Sequence, residues 1–329
     1  MLKGDLYFTS NYTNVDDLLD ALSGLGTDAD TLEAQRKEDK VDTSAHPFIV
    51  PRDVDFTLHT RIKEARAFDN DLREVAGDVQ IKDGIAVLNQ VGFVCKAARM
   101  QLTGMYRTPR VNHIFVGMDF HLLDINVQEL IEMIPYVDTL VPLLNDLEGR
   151  ADFHLCAETY VNAFYKPKMS TLRGAAALTG QDLVVLDNKD IDRIAKLLQL
   201  KSWRDDDSKM RVDSIDVAMT VFRKELEVYP FLLSLHKYDI VAEGRHNLSN
   251  NYDYHVEIVQ SPLPVRLAVD VQGTMPKLNF SVSPKLRYRN LYRPAKRNEL
   301  DEQILRLKRM IRESLEANVK DSTREYQGL

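Results

Sequence analysis

The stretch VDFTLHTRIK, residues 54 to 63, puts Val54, Phe56, Leu58, Thr60 and Ile62 on one side of an extended chain. Asp55, Thr57, His59, Arg61 and Lys63 fall on the other side. A helix cannot keep that period of two, whereas a strand with one dry and one wet face requires it. The pattern returns along most of the chain with turn residues between the copies, so the fold must be rich in one-sided sheet.

From Leu72 the alternation runs through Val75, Gly77, Val79 and Ile81, meets Lys82-Asp83-Gly84 and resumes at Ile85. Asp-Gly between two alternating runs predicts a tight hairpin. ARMQLTGMYRT places Met100, Leu102, Gly104 and Tyr106 on one face. VNHIFVGMDFHL does the same with Ile114, Val116, Met118, Phe120 and Leu122, and a break at Thr108-Pro109-Arg110 makes the two neighbours. The same grammar recurs in KGDLYFTSN near the start and in EGRADFHLCAE, RGAAALTGQDLVVLD, MRVDSIDVAMTVF, YDYHVEIV, VRLAVDVQG and KLNFSVS downstream. Short connections favour antiparallel neighbours throughout.

Period-3.6 stripes interrupt the strands at four places: 14–23, 126–134, 189–198 and 298–319. The first three share a pattern in which Leu18, Leu130 and Ile194 occupy equivalent positions behind Asn14, Asn126 and Asp190, residue types preferred as N-caps. Three copies of strand, cap and short amphipathic helix suggest an internal repeat of a β-rich unit. The fourth helix carries Leu300, Ile304, Leu307, Ile311 and Leu315 and follows PKLRYRNLYRPAKR, where basic residues alternate with tyrosines and leucines.

A net charge of -7 argues against a general nucleic-acid binder, so any basic contact must be local. Cys95 and Cys156 are the only cysteines and have no metal-ligand spacing; packing residues are expected, with one disulfide as the alternative. No apolar run reaches the length of a membrane span, and nothing near Met1 resembles a signal peptide. The polar stretch from Gly24 to Pro47 and the one around Trp203 read as loops. HExxH, GxSxG and phosphate-loop patterns are absent, so no catalytic, metal or cofactor site assembles from local motifs. His59, His113 and His121 read as satisfied or solvated wet-face histidines. Asp205-Asp206-Asp207 reads as a solvated turn rather than a cation site. The segment from Lys285 to Arg297 could bind phosphate or anionic headgroups, against the plainer reading of an edge and linker kept soluble by charge.

The succession FDNDLREVAGDVQIKDGIAVLNQVGFVCKAARMQLTGMYR, followed by LRGAAALTGQDLVVLDNKDIDRIAKLL, resembles the C-terminal region of the AsmA-like family of Gram-negative envelope proteins. Gly77 to Gly84 matches that family's hairpin, Leu102 to Tyr106 its strand signature, and Gly244 in YDIVAEGRHNLSNNYDYHVEI the glycine of a later hairpin. The likeness spans roughly residues 50 to 283. It implies a periplasmic protein held to the inner membrane by an N-terminal helix missing here, with repeated β-grooves that move phospholipid in outer-membrane biogenesis. A chain that opens directly on a strand fits the C-terminal part of such a protein.

The expectation is a mainly β fold, a curved and mostly antiparallel sheet with short amphipathic helices and a C-terminal helix. It divides into the end of an upstream repeat and a polar loop (1–49), an AsmA-like β-rich region (50–283), and a basic linker with a helix (284–329). The expected function is non-enzymatic handling of phospholipid. Val54, Phe56, Leu58, Val79, Ile81, Met100, Leu102, Val116, Met118 and Phe120 would line the groove. Acyl chains and other envelope proteins would be the partners, with no nucleic acid and no cofactor. The alternative is a scaffold for outer-membrane assembly without lipid transfer. Alternation alone leaves open whether the dry faces line an open trough or close on each other.

Overall fold

The computed structural model describes residues 2–18, 47–67, 69–133, 145, 147–186, 189–200, 210–235, 237–247, 249, 251–262, 266–274, 277–288, 292–293 and 295–325. The polar stretch 24–46, Trp203 and Asp205-Asp206-Asp207 lie outside them. The chain is mainly β, with one open sheet of 15 strands in which sequence neighbours are also spatial neighbours. The strands are β1 (Leu2–Asn14), β2 (Val54–Ala67), β3 (Asn70–Lys82), β4 (Ile85–Val94), β5 (Arg99–Arg110), β6 (His113–Asn126), β7 (Leu147–Glu148) and β8 (Arg150–Val161). They continue with β9 (Arg173–Val185), β10 (Met210–Phe222), β11 (Glu225–Leu235), β12 (Tyr238–Asn247), β13 (Asn251–Gln260), β14 (Ala268–Thr274) and β15 (Lys277–Val282). Among the described residues the two-residue β7 lies off this order and pairs with β9.

The Asp-Gly signal acts as read. Lys82 pairs with Ile85, and Asp83 and Gly84 take φ of 43° and 83°, the left-handed pair of a type I′ turn. Two expectations need correction. First, β5 continues through Thr108-Pro109-Arg110, and its turn falls at Val111-Asn112. Pro109 is tolerated because it sits at the strand's exposed end, where a missing N–H costs little. Second, β1 pairs with β2 in parallel, from Leu2↔Val54 to Asn14↔Arg66, because a long excursion returns the chain to the start of its neighbour.

Among the described residues, helices with both ends placed are α1 (Val127–Met133), α2 (Lys189–Leu197) and α3 (Glu299–Glu325). A helical turn also begins at Val15, where Asn14 Oδ1 accepts the N–H groups of Asp16 and Asp17 at 3.1 and 3.4 Å. Asn126 caps α1 likewise, accepting from Glu129 N–H at 3.4 Å, whereas Asp190 sits inside the first turn of α2. Val127, Leu130 and Leu198 are buried, and Leu18 and Ile194 half-buried, so the apolar stripes do face inward. Arg193, ill-placed for the helix dipole, lies 4.7 Å over the Phe280 ring instead.

The chain forms two compact units that interleave in sequence. One comprises Met1–His121, Leu155–Gly174 and Leu300–Leu329; the other comprises Leu122–His154 and Ala175–Glu299.

Candidate functional site: one apolar sheet face

In the first unit the strand register decides which side chains share a face. Phe56 pairs with Ile81, Ile81 with Ala86 and Ala86 with Tyr106. The next row runs Leu6, Leu58, Val79, Leu88, Gly104. Simple alternation would then turn Val91 and Phe93 to the wrong side. A bulge between Leu88 and Val91, where Gln90 adopts φ 49°, inserts one residue and restores them opposite Leu102 and Met100. Val91 and Phe93 therefore pack with Ile62, Ala65, Val75 and Phe8 on the same apolar surface. Gly77 lies opposite this bulge: a Cβ there would meet the Val91 Cα at 2.6 Å, and its φ of 153° suits glycine.

The other face of β4, β5 and β6 is filled by α3. Ile85, Val87, Met105 and Phe115 form a buried cluster against Met310, Ile311, Leu315 and Tyr160. Leu307 is buried in a notch made by Gly117, where a Cβ would come within 2.8 Å of the Leu307 Cδ1. The helix is fastened at two further points. Arg306 donates to both oxygens of Glu158 at 3.1 to 3.3 Å, and buried Lys82 donates from Nζ to the Leu315 carbonyl at 3.2 Å. Because Phe115 and Gly117 point at α3, Ile114, Val116, Met118 and Phe120 point the opposite way, to the side of Leu102 and Tyr106.

All ten expected groove residues are thus brought together on one face of β2, β3, β5 and β6. Ile81 and Met100 are buried at 4% and 3% exposure. Val54, Phe56, Leu58, Val79, Leu102, Val116, Met118 and Phe120 are only half-buried, so water still reaches most of the surface. At one end the segment 47–51 lies over it: Phe48 and Val50 pack with Val54, Phe56 and Ile81, and Tyr106 donates its hydroxyl to the Phe48 carbonyl at 2.7 Å. Burial, then the neighbouring Tyr165, pushes the Tyr106 phenol far up, so it stays a neutral donor. Sequence reasoning found β2, β3, β5 and β6 of this face but named no residue of β4, neither Leu88 nor Val91 and Phe93, which the bulge turns to this side against simple alternation.

The wet-face histidines are satisfied. His59 Nδ1 lies 2.8 Å from Asp78 and its ring stacks on Tyr7; His113 stacks on Tyr160 at 3.9 Å and meets Lys168 Nζ. Both cysteines are free and buried, as packing residues should be. Burial, then Asp119 and Glu158, pushes the Cys156 thiol up to about 12.

The second unit contains a buried ionic cluster with no local sequence signal. Glu257 is fully buried; its carboxylate accepts from Arg266, from the N–H of Arg287 at 2.6 Å and from that of Tyr288 at 3.2 Å. His255 lies between Glu257 at 3.5 Å and Asp270 at 2.6 Å. Burial raises the Asp270 carboxyl, but hydrogen bonds from His255 and Ser283 outweigh it and hold the group below the usual carboxylate value. Arg287 pairs with Glu243, Tyr292 donates to the Pro230 carbonyl at 3.0 Å, and Arg297 lies 4.4 Å over the Tyr229 ring. The basic-aromatic segment therefore spends these groups on its own fold, which favours the linker reading over headgroup binding. The cluster pins backbone; it presents no nucleophile beside a base.

Among the described residues no group of three or more histidine, cysteine or acidic side chains could hold a metal ion, and no helix is long and apolar enough to cross a membrane. Comparison with protein-family models, curated proteins and solved structures yields no match to this chain.

Proposed function

We propose that this chain handles phospholipid without catalysis, holding acyl chains against the apolar face of β2 to β6. On this reading it is an AsmA-like envelope protein, periplasmic and tethered to the inner membrane in its full-length form. The observation that carries the proposal is the asymmetry of the sheet. One face of β4 to β6 is filled by α3, while the other keeps a continuous apolar surface half open to water. Each methylene moved from water onto such a surface gains roughly 0.8 kcal/mol, so even partial seating of an acyl chain gives useful affinity. A polar wet face and a fastened helix would keep the protein folded while the trough is empty.

Native mass spectrometry of the chain purified from cells tests this: bound phospholipid is expected, and a chain that carries none under gentle extraction would refute it. The alternative, a scaffold in envelope assembly without lipid transfer, draws on a different feature. The terminal strand β1 exposes Leu6, Tyr7 and Tyr12 at 53%, 81% and 60%, on a 13-residue edge. Long exposed edges of this kind are templates for strand addition. A lipid-free chain that captures a partner through β1, and loses it on Tyr7→Pro, would favour that reading.

A further inference from the structure

Several turns gather at the end of the first unit where Tyr106 closes the apolar face. Gly84 N–H donates to the Pro51 carbonyl at 2.9 Å and Thr108 N–H to the Gly84 carbonyl at 3.4 Å. Asn112 joins the β5–β6 turn to the loop 162–168: its side chain accepts from Ala163 N–H at 3.1 Å, and its carbonyl accepts from Lys168 Nζ at 2.6 Å. The Tyr165 hydroxyl accepts from Phe48 N–H at 2.7 Å, so this loop touches the segment that overlies the apolar face.

That loop, FYKPK, has an unusual make-up for a solvent-facing turn. Phe164 and Tyr165 are 47% and 42% exposed and Lys166 is exposed beside them. Phe164 faces solvent, and Tyr165 leaves part of its ring exposed while its hydroxyl is held by Phe48 N–H. Tyr165 adopts φ 59°, uncommon for a bulky residue, and Asn162 Oδ1 holds the turn by accepting from Phe164 and Lys166 N–H at 3.0 and 2.9 Å. Arg52, Arg110 and Lys166 are exposed on these turns, with Asp53 exposed and Asp83 half-buried, in a chain whose net charge is -7; Lys168 is half-buried, its ammonium held by the Asn112 carbonyl. Exposed aromatic side chains beside Lys166 and Arg110, on a turn held by Asn162, suit the boundary between headgroups and acyl chains: the rings enter the apolar side and the cations meet phosphate.

We propose that the loop 162–168, with the adjoining turn at 110–112, is a docking surface for an anionic lipid bilayer, placing the Tyr106 end of the apolar face at the membrane. The inference rests on the lipid-handling reading and extends it to the point of exchange. The occupant is a bilayer rather than a protein because exposed cations, Lys166 on the loop and Arg110 on the turn joined to it through Asn112, accompany the exposed aromatics, the pairing that a layer of anionic headgroups over acyl chains complements.

The test is flotation of the full chain with phosphatidylglycerol-containing vesicles and with pure phosphatidylcholine vesicles. Native mass spectrometry on the same samples reports carried lipid. Association with the anionic vesicles is expected, weakened by salt and absent from the zwitterionic ones. Phe164→Ser and Lys166→Glu should each weaken it about tenfold or more while leaving carried phospholipid unchanged. Leu305→Ser, which removes a still more exposed apolar side chain from α3, should have no effect. The proposal is overturned if the wild-type chain does not float, if neither loop variant differs from it, or if Leu305→Ser loses as much. A chain that floats through this loop but carries no lipid would sustain the docking surface and refute the groove. A partner protein captured through the loop, with no flotation, would overturn the proposal in favour of a protein interface.

Discussion

A carboxylate placed on either side of β5 separates an open trough from a closed core. Leu102 and Met105 lie three residues apart on the same strand and face opposite ways, Leu102 half-buried and Met105 2% exposed beneath Met310, Ile311 and Leu315. At Leu102 a glutamate loses part of a leucine's burial, about 1–2 kcal/mol, but its ionised end keeps contact with water. At Met105 it loses the whole side chain's packing, about 2–5 kcal/mol, and a charge is enclosed at a further cost of several kcal/mol. That sum rivals the total stability of roughly 5–15 kcal/mol. In thermal melts, Leu102→Glu should therefore fall by about 2–8 °C, using 2–4 °C per kcal/mol, and Met105→Glu should fail to fold or melt far lower. Lipid content measured on the folded Leu102→Glu protein should drop to background. If Leu102→Glu unfolds as Met105→Glu does, the face is a closed core. If it stays folded and keeps its lipid, the trough lies elsewhere.

Other perturbations follow from single contacts. Gly117→Val drives a branched side chain into Leu307 and should destabilise by about 1–3 kcal/mol, read as faster amide exchange along α3; unchanged exchange would deny the notch. Gly244→Ala places a Cβ 2.4 Å from the Tyr254 ring and 2.7 Å from the Asp253 carbonyl. A clear fall in melting temperature is expected, and a neutral outcome would mean Tyr254 does not lie over that glycine. Asp270 has a lowered folded pKa, so its contribution is complete above the ordinary carboxylate value and is lost as pH falls through the lowered one. His255→Asn should flatten the acid limb of a stability-against-pH curve, and an unchanged limb would remove Asp270 from the account. With its thiol pushed up to about 12 and buried, Cys156 should resist alkylation at neutral pH until the protein unfolds, and rapid native labelling would contradict that burial.

The sequence disclosed what depends on neighbours in the chain. Period-two runs marked most strands, Asp83-Gly84 marked its turn, and Asn14 and Asn126 marked helix starts, because each is a local steric or hydrogen-bonding demand. β11 escaped notice because Pro230 interrupts ELEVYPFLLSL. The structure accommodates it at a register shift between Val228 and Phe231, where the ladder is already broken. The half-open character of the apolar face was not legible, since alternation reads the same whether or not something lies over it. What covers the other face is α3, nearly 200 residues from the strands it packs on. Glu257 looked like any wet-face carboxylate; its role depends on Arg266, Arg287 and Tyr288 arriving from elsewhere.

Contact between acyl chains and one side of the strands is tested most directly by photocrosslinking, with a benzophenone amino acid placed in turn at Gln101, Leu102, Met118 and Asp119. Leu102 and Met118 belong to the apolar face, and Gln101 and Asp119 point away from it. The account predicts phospholipid adducts at Leu102 and Met118 and none at Gln101 or Asp119, an on–off pattern with the period of a strand. Adducts at all four positions, or at none, would contradict it.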